Sequence, residues 1–205
     1  MSNRICPVPH PSPFAGDGWE STNLKEHAYA VMDLAGFRSQ ASTIEPMILA
    51  VLTVSDRCSK GLATNTAGPA VVALLRQHWP HAEVRTALVP DDEEAIAAHI
   101  EKWISEGAAL VLTVGGTGMG PRDRTPEATR RVIDREAPGL AEAMRFHGAQ
   151  ANPFAWLSRG VAGLKGSTLI VNLPGSKRGA VESLSAIATL VKHGLDVAAG
   201  GQTHP

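Results

Sequence analysis

Two short, almost wholly apolar runs, MILAVLTV at 47–54 and ALVLTV at 109–114, constrain this chain more than any other feature. Neither alternates polar with apolar residues, and both are short, which is the pattern of a strand covered on both faces. The residues between them fit a helix at 68–78, a strand at 83–89 and a helix at 93–106. That second helix carries Ile96, Ile100, Trp103 and Ile104 on its apolar side. Thr125-Pro126 opens another helix, with the threonine hydroxyl expected at the N-cap and proline at the first helical position. It is expected to end near residues 137–139, and a further helix to run from there to about 150. Strands at 161–164 and 168–173 read as a hairpin through Gly166. A helix from 176 to about 193 and a short one after it complete the chain. Strands alternating with helices imply an α/β fold with a mostly parallel sheet and helices on both faces. Ligands of such sheets bind outside the carboxyl ends of the strands. Chemistry is therefore expected just after Val54, Val89, Val114 and Leu173.

Composition removes several function classes. The 205 residues carry 19 basic and 20 acidic side chains for a net charge of -1. No basic excess exists to hold a nucleic-acid backbone. Cys6 and Cys58 form neither a disulfide framework nor a zinc ribbon, and Cys58 has no neighbouring base to make it a nucleophile. The histidines show no metal-ligand spacing. Trp79, Trp103 and Trp156 read as core or interface residues. No stretch is apolar enough to span a bilayer and the N-terminus lacks a secretory layout, so a cytoplasmic protein is expected. Residues 1–45 read as an N-terminal extension. Its first 18 residues are rich in Pro, Ser and Gly and are expected to be disordered or loosely docked; a short amphipathic helix is expected at 23–35. Residues 46–205 read as the domain.

Each expected strand end carries polar or glycine-rich residues. After the third strand, Gly115-Gly116-Thr117-Gly118 leads through Arg122, Asp123 and Arg124 to Thr125. Glycines let a backbone approach a ligand and expose consecutive N–H groups to an anion. The loop is no Walker A, and Pro121 stands where a dinucleotide fingerprint needs its third glycine. After the last strand, Pro174-Gly175-Ser176-Lys177 again places Gly and Ser at a helix N-terminus, where unpaired N–H groups and the helix dipole attract anions. Two such turns in one domain suggest a ligand with several phosphates, or two phosphorylated ligands. One carboxylate of the run after Val89, with Asp123, suffices for magnesium, which needs only one or two carboxylates besides phosphate and water. Ser55 and Asp56 follow the first strand, in position to hydrogen-bond a ligand.

The series TVSDR, VPDD, TVGGTG, DRTPEAT, LSRG and NLPGS, in this order, resembles the MogA/MoaB molybdopterin-binding family and the corresponding G domain of gephyrin. The resemblance runs from about residue 47 to the C-terminus. It implies a three-layer α/β/α sandwich, a homotrimer or hexamer, and a place in molybdenum cofactor biosynthesis. The implied reaction joins the terminal phosphate of molybdopterin to AMP from ATP with Mg2+, releasing pyrophosphate. Asp91 and Asp123 match the family's functional aspartates and would hold the metal. Ser55, Asp56, Gly115, Gly116, Thr117 and Gly118 would then face the nucleotide. Thr125, Glu127, Ser158, Arg159, Pro174, Gly175, Ser176 and Lys177 would fall on the molybdopterin side. The product would pass to a molybdenum-insertion enzyme. The family also contains MoaB-type members that bind molybdopterin as carriers; acids at both Asp91 and Asp123 favour the enzyme.

Overall fold

The computed structural model describes residues 46–201. The expected N-terminal extension, with its helix at 23–35, lies outside the described residues.

Strand β1 (Ile48–Val54) leads through a single short turn of helix α1 (Asp56–Ser59) to helix α2 (Ala67–His78). Then come β2 (Glu83–Val89), α3 (Glu93–Ser105) and β3 (Ala108–Val114). Helix α4 (Thr125–Val132) precedes a two-residue strand β4 (Arg135–Glu136) and helix α5 (Pro138–Ala151). A 3-10 helix (Pro153–Leu157), the hairpin β5 (Ala162–Lys165) and β6 (Thr168–Leu173), and helix α6 (Lys177–Ala198) close the domain.

The six strands lie in the order β2-β1-β3-β6-β5-β4. Strands β2, β1, β3 and β6 are parallel, and β5 and β4 add antiparallel pairings at one edge. The register aligns Val54 with Val89, Thr53 with Val114, and Val114 with Leu173. The four expected strand ends therefore meet along one edge of the sheet. Alternate residues of the apolar strands feed two separate cores. Leu49, Val51, Leu110, Leu112 and Val171 pack under α2, α5 and α6. Ala50, Leu52, Val54, Val111 and Ile170 pack under α3 and α4. This is the expected three-layer α/β/α sandwich, and it explains why those strands show no alternation: both faces are covered. No helix among the described residues is long and apolar enough to cross a membrane.

Three local expectations are corrected. Thr125 is not an N-cap: Arg124 holds that position without a side-chain bond, while the buried Thr125 hydroxyl donates to Gly115 O at 2.8 Å. Helix α4 stops at Val132, because Ile133 turns extended and the Asp134 and Ala137 N–H groups donate to Leu164 O and Ala162 O. Sheet pairing takes those donors, and β4 forms where helix was expected. Helix α6 is a single 22-residue helix, since its buried stripe of Leu184, Ile187, Val191 and Leu195 runs without a break past Gly194. Trp79 and Trp103 are core residues, and Trp156 is 56% exposed.

Candidate functional site

The loop after β3 is held by its glycines. Gly115 has φ +111, and a Cβ there would lie 2.2 Å from Val54 O. Its N–H donates to Leu173 O at 3.1 Å, so this residue threads between the ends of β1 and β6. Gly175 follows β6, and a Cβ on it would lie 3.2 Å from the Gly115 Cα. The two glycine turns, 60 residues apart in sequence, thus touch backbone to backbone. No side chain fits between them.

On one side of the first turn lie the carboxylates. Asp56 and Asp91 bracket each other: the Asp56 N–H donates to Asp91 Oδ2 at 2.7 Å, and the Asp91 N–H donates to Asp56 Oδ1 at 3.2 Å. Arg122 reaches back from the loop and donates Nε and Nη2 to Asp56 Oδ2 at 3.1 and 2.7 Å. Desolvation pulls the Asp56 carboxyl upward, but the Asp91 N–H, Arg122 and the charge of Lys60 outweigh it and hold the group below its ordinary 3.8. Asp91 goes the other way. Burial raises it, the Asp56 N–H and Arg122 oppose, and the negative charges of Asp56 and Asp123 add to the rise. Its other oxygen, Oδ1, lies 3.0 Å from where a Gly116 Cβ would be. Asp123 uses Oδ2 to accept from the Gly120 N–H at 2.8 Å.

Each of Asp91 and Asp123 therefore keeps one oxygen without a hydrogen-bond partner among the described residues. Beyond its burial, the negative charges of Asp56 and Asp123 oppose ionisation of Asp91, and Arg122 favours it. No cluster of three or more His, Cys, Asp or Glu that could bind a metal forms among the described residues. Two carboxylates beside a glycine turn fit magnesium, which retains waters and phosphate oxygens as its other ligands; they do not fit a closed zinc site.

The same turn, with Asp123, also borders a cavity of about 450 Å³. Gly116, Thr117, Gly118 and Asp123 form one wall, and Pro174, Gly175 and Ser176 another. Ser158 and Gly160, with Arg145 and Met144 of α5, close it, and Phe154 and Leu157 give an apolar rim. Ser176 caps α6 by accepting from the Gly179 N–H at 3.1 Å, so the positive end of a long helix faces the cavity. The volume lies in the range of small-molecule sites, which combine apolar walls with a few convergent polar groups.

The sequence-predicted residues divide accordingly. Gly116, Thr117, Gly118, Asp123, Ser158, Pro174, Gly175 and Ser176 share the cavity. Asp56 and Asp91 stand together beyond the glycine turn. Ser55 instead caps α1, accepting from the Cys58 N–H at 3.2 Å. Gly115 and Thr125 are structural partners of one another, and Lys177 does not line the cavity. Glu127 and Arg159 form an ion pair. Desolvation raises the Glu127 carboxyl, but Arg159, a backbone hydrogen bond and the charge of Arg124 outweigh it and leave it below 4.5. Arg145 and Asn172 were not anticipated. The fully buried Asn172 donates Nδ2 to Thr113 and Thr129 at 2.9 Å each and accepts from the Val161 N–H at 3.2 Å. An asparagine inside the apolar strand TLIVNL was the available signal, because a buried amide must find partners. Nothing in the helical pattern of α5 marked Arg145.

Comparison with known proteins gives the family and the fold. A family model described as "Probable molybdopterin binding domain" matches residues 50–193. The molybdenum cofactor synthesis protein cinnamon of Drosophila melanogaster is 37% identical over 167 residues, covering 78% of this chain and 28% of that protein. The chain thus spans less than a third of that longer relative. A molybdopterin adenylyltransferase of Helicobacter pylori strain J99 is 36% identical over 154 residues, covering 74% of this chain and 88% of that protein. Among solved structures, the molybdopterin biosynthesis enzyme MoaB of Thermus thermophilus shares the fold with a TM-score of 0.70 and 46% identity, over 75% of this chain and 97% of that one.

Proposed function

The chain belongs to the molybdopterin-binding domain family, and from that premise we propose that it adenylylates molybdopterin with magnesium-ATP, releasing pyrophosphate. One observation carries the reading: a single cavity of about 450 Å³ joins both glycine turns and Asp123. The molybdopterin phosphate binds at Gly175, Ser176 and the N-terminus of α6, with the pterin between Arg145, Phe154 and Leu157. The nucleotide lies against the glycine turn on the side of Asp91 and Asp56. Its α-phosphorus then meets the molybdopterin phosphate across Gly116–Gly118, and the phosphate oxygen attacks in line as pyrophosphate leaves.

No protein nucleophile is needed, since reactions of this kind depend on positioning and charge neutralisation. Asp123 and Asp91 would hold magnesium, which when bound offsets the charge of the phosphates. The glycine-turn amides orient the nucleotide, and the dipole of α6 offsets charge on the second phosphate. We further place the protein in the cytoplasm, as a homotrimer or hexamer, handing its product to a molybdenum-insertion enzyme.

The test is pyrophosphate release from magnesium-ATP with and without molybdopterin. Release should require molybdopterin, and Asp123→Ala should reduce it by roughly 100-fold or more while molybdopterin binding changes little, as for loss of a group that acts on the transition state. Tight molybdopterin binding by the wild type without release would make the protein a carrier and defeat the proposal.

A further inference from the structure

Arg159 lies in the short segment between the 3-10 helix and β5, and it spends its donors on the opposite loop. Its backbone N–H donates to Thr117 O at 2.9 Å. Its guanidinium donates Nε to Gly118 O at 2.7 Å, Nη2 to Asp123 O at 2.6 Å, and Nη1 to Glu127 Oε1. A planar fork with donors in fixed directions suits this span of acceptors. The neighbours on either side, Ser158 and Gly160, line the cavity, whereas Arg159 does not. It borders a separate cavity of about 390 Å³ behind that wall. Arg145 tightens the same segment from α5, donating Nη1 to Gly160 O at 3.0 Å and Ser158 O at 3.3 Å.

We propose that Arg159 is a positioning residue: it fixes the backbone of residues 117–123, and through it the Asp123 carboxylate, instead of contacting molybdopterin. The inference rests on the reading of Asp123 as a metal-holding group. Arg159 ties the wall that meets the pterin to the loop that carries the carboxylate, so it sets the geometry between the two halves of the site. Its own guanidinium is spent on Gly118 O, Asp123 O and Glu127 and does not line the cavity. A lysine at this position keeps the charge opposite Glu127, but one nitrogen cannot reach Gly118 O, Asp123 O and Glu127 together.

Two binding measurements on the whole protein, made without turnover, test this. Mn2+ in place of magnesium is titrated by electron paramagnetic resonance with ATP present. Molybdopterin is titrated by fluorescence without ATP. In Arg159→Lys, with folding verified by its circular-dichroism melt, manganese affinity should fall about 10-fold or more, as when a partner that orients a metal ligand is lost. Molybdopterin affinity should stay within about threefold, since no direct contact is removed. Arg159→Gln serves if the lysine variant does not fold. A fall in molybdopterin affinity with manganese binding intact would make Arg159 a ligand and overturn the proposal. Equal losses in both, no change in either, or no manganese binding by the wild type would overturn it as well. Failure of the wild type to release pyrophosphate would defeat only the adenylyltransferase reading, because neither titration depends on catalysis.

Discussion

Asp91 is held where its charge is least welcome. Burial and the charges of Asp56 and Asp123 raise its carboxyl above the ordinary 3.8, against the help of the Asp56 N–H and Arg122. A carboxyl raised by folding favours the folded state fully below its unfolded value, and that advantage disappears as pH rises through the folded value. At neutral pH the ionised Asp91 is therefore a cost to the fold, which the proposed magnesium would offset. Asp91→Asn keeps an acceptor for the Asp56 N–H and removes the charge. Without magnesium at pH 7 the variant should melt higher, by about 1–3 °C, a shift that corresponds to a fraction of a kcal/mol in a domain of this size. The gain should vanish below the ordinary carboxyl value of 3.8, where both proteins are neutral at this position, and should shrink with magnesium present. Melting curves across pH decide it; a variant less stable than wild type at pH 7 without metal would show that the charge is not a cost. The same substitution should slow pyrophosphate release. Stability and activity would then move in opposite directions at one atom, the signature of a functional charge.

At the scale of elements, the glycine turn depends on one hydroxyl that local pattern misread. The Thr125 hydroxyl is buried and donates to Gly115 O at 2.8 Å, tying the first residue of α4 to the first residue of the turn. Thr125→Val is nearly isosteric and leaves Gly115 O without that donor. Leaving a buried acceptor unmatched costs about 1–3 kcal/mol, which urea denaturation would register, and activity should drop with it because the turn loosens. Unchanged stability would mean that water replaces the hydroxyl. The strand ends were legible beforehand because β1, β3 and β6 are short and apolar on both faces, and parallel order brings their carboxyl ends together without further information. The acidic run after Val89, Asp123 and the two glycine turns stand at or just beyond those ends and were noticed for that reason, whereas Asp91 was singled out within its run only by the family resemblance. Other features depend on which distant group a donor meets, and no local window contains that. Thr125 resembles an N-cap until Gly115 O is placed beside it. The tail of α4 looks helical until Leu164 O and Ala162 O claim its N–H groups. Arg159 falls in a motif beside Ser158, yet only the fold shows its guanidinium turned onto Gly118, Asp123 and Glu127.

Across the whole molecule the ionic ties are unevenly spread between the two helical layers. Asp56 binds Arg122 of the glycine turn, Glu94 of α3 binds Arg131 of α4, Glu127 binds Arg159, and Asp134 binds Lys165. All four carboxyls are held below their ordinary values of 3.8 or 4.5. For Glu94 the Arg131 bond is the main cause, and for Asp134 the Lys165 bond; for Asp56 and Glu127 the partners outweigh an opposing desolvation. The layer of α2, α5 and α6 rests mainly on the apolar cluster of Leu75, Leu184, Ile187 and Val191 beneath it. A carboxyl depressed by folding contributes its stability above its unfolded value and loses it as pH falls through the folded one. Acid should therefore release the α3 and α4 side and the glycine turn first, while apolar burial, which does not titrate, keeps the opposite layer closed. Exposed pairs are individually weak, so the effect should appear as local opening and not as global unfolding. Amide hydrogen exchange, corrected for intrinsic rates, should lose protection in residues 93–105 and 116–132 as pH falls below the ordinary carboxyl values of 3.8 and 4.5 and on through the lower folded ones. Residues 180–195 of α6 should keep theirs. Loss in both layers at the same pH would show that the sheet transmits the change at once and that the domain opens only as a unit.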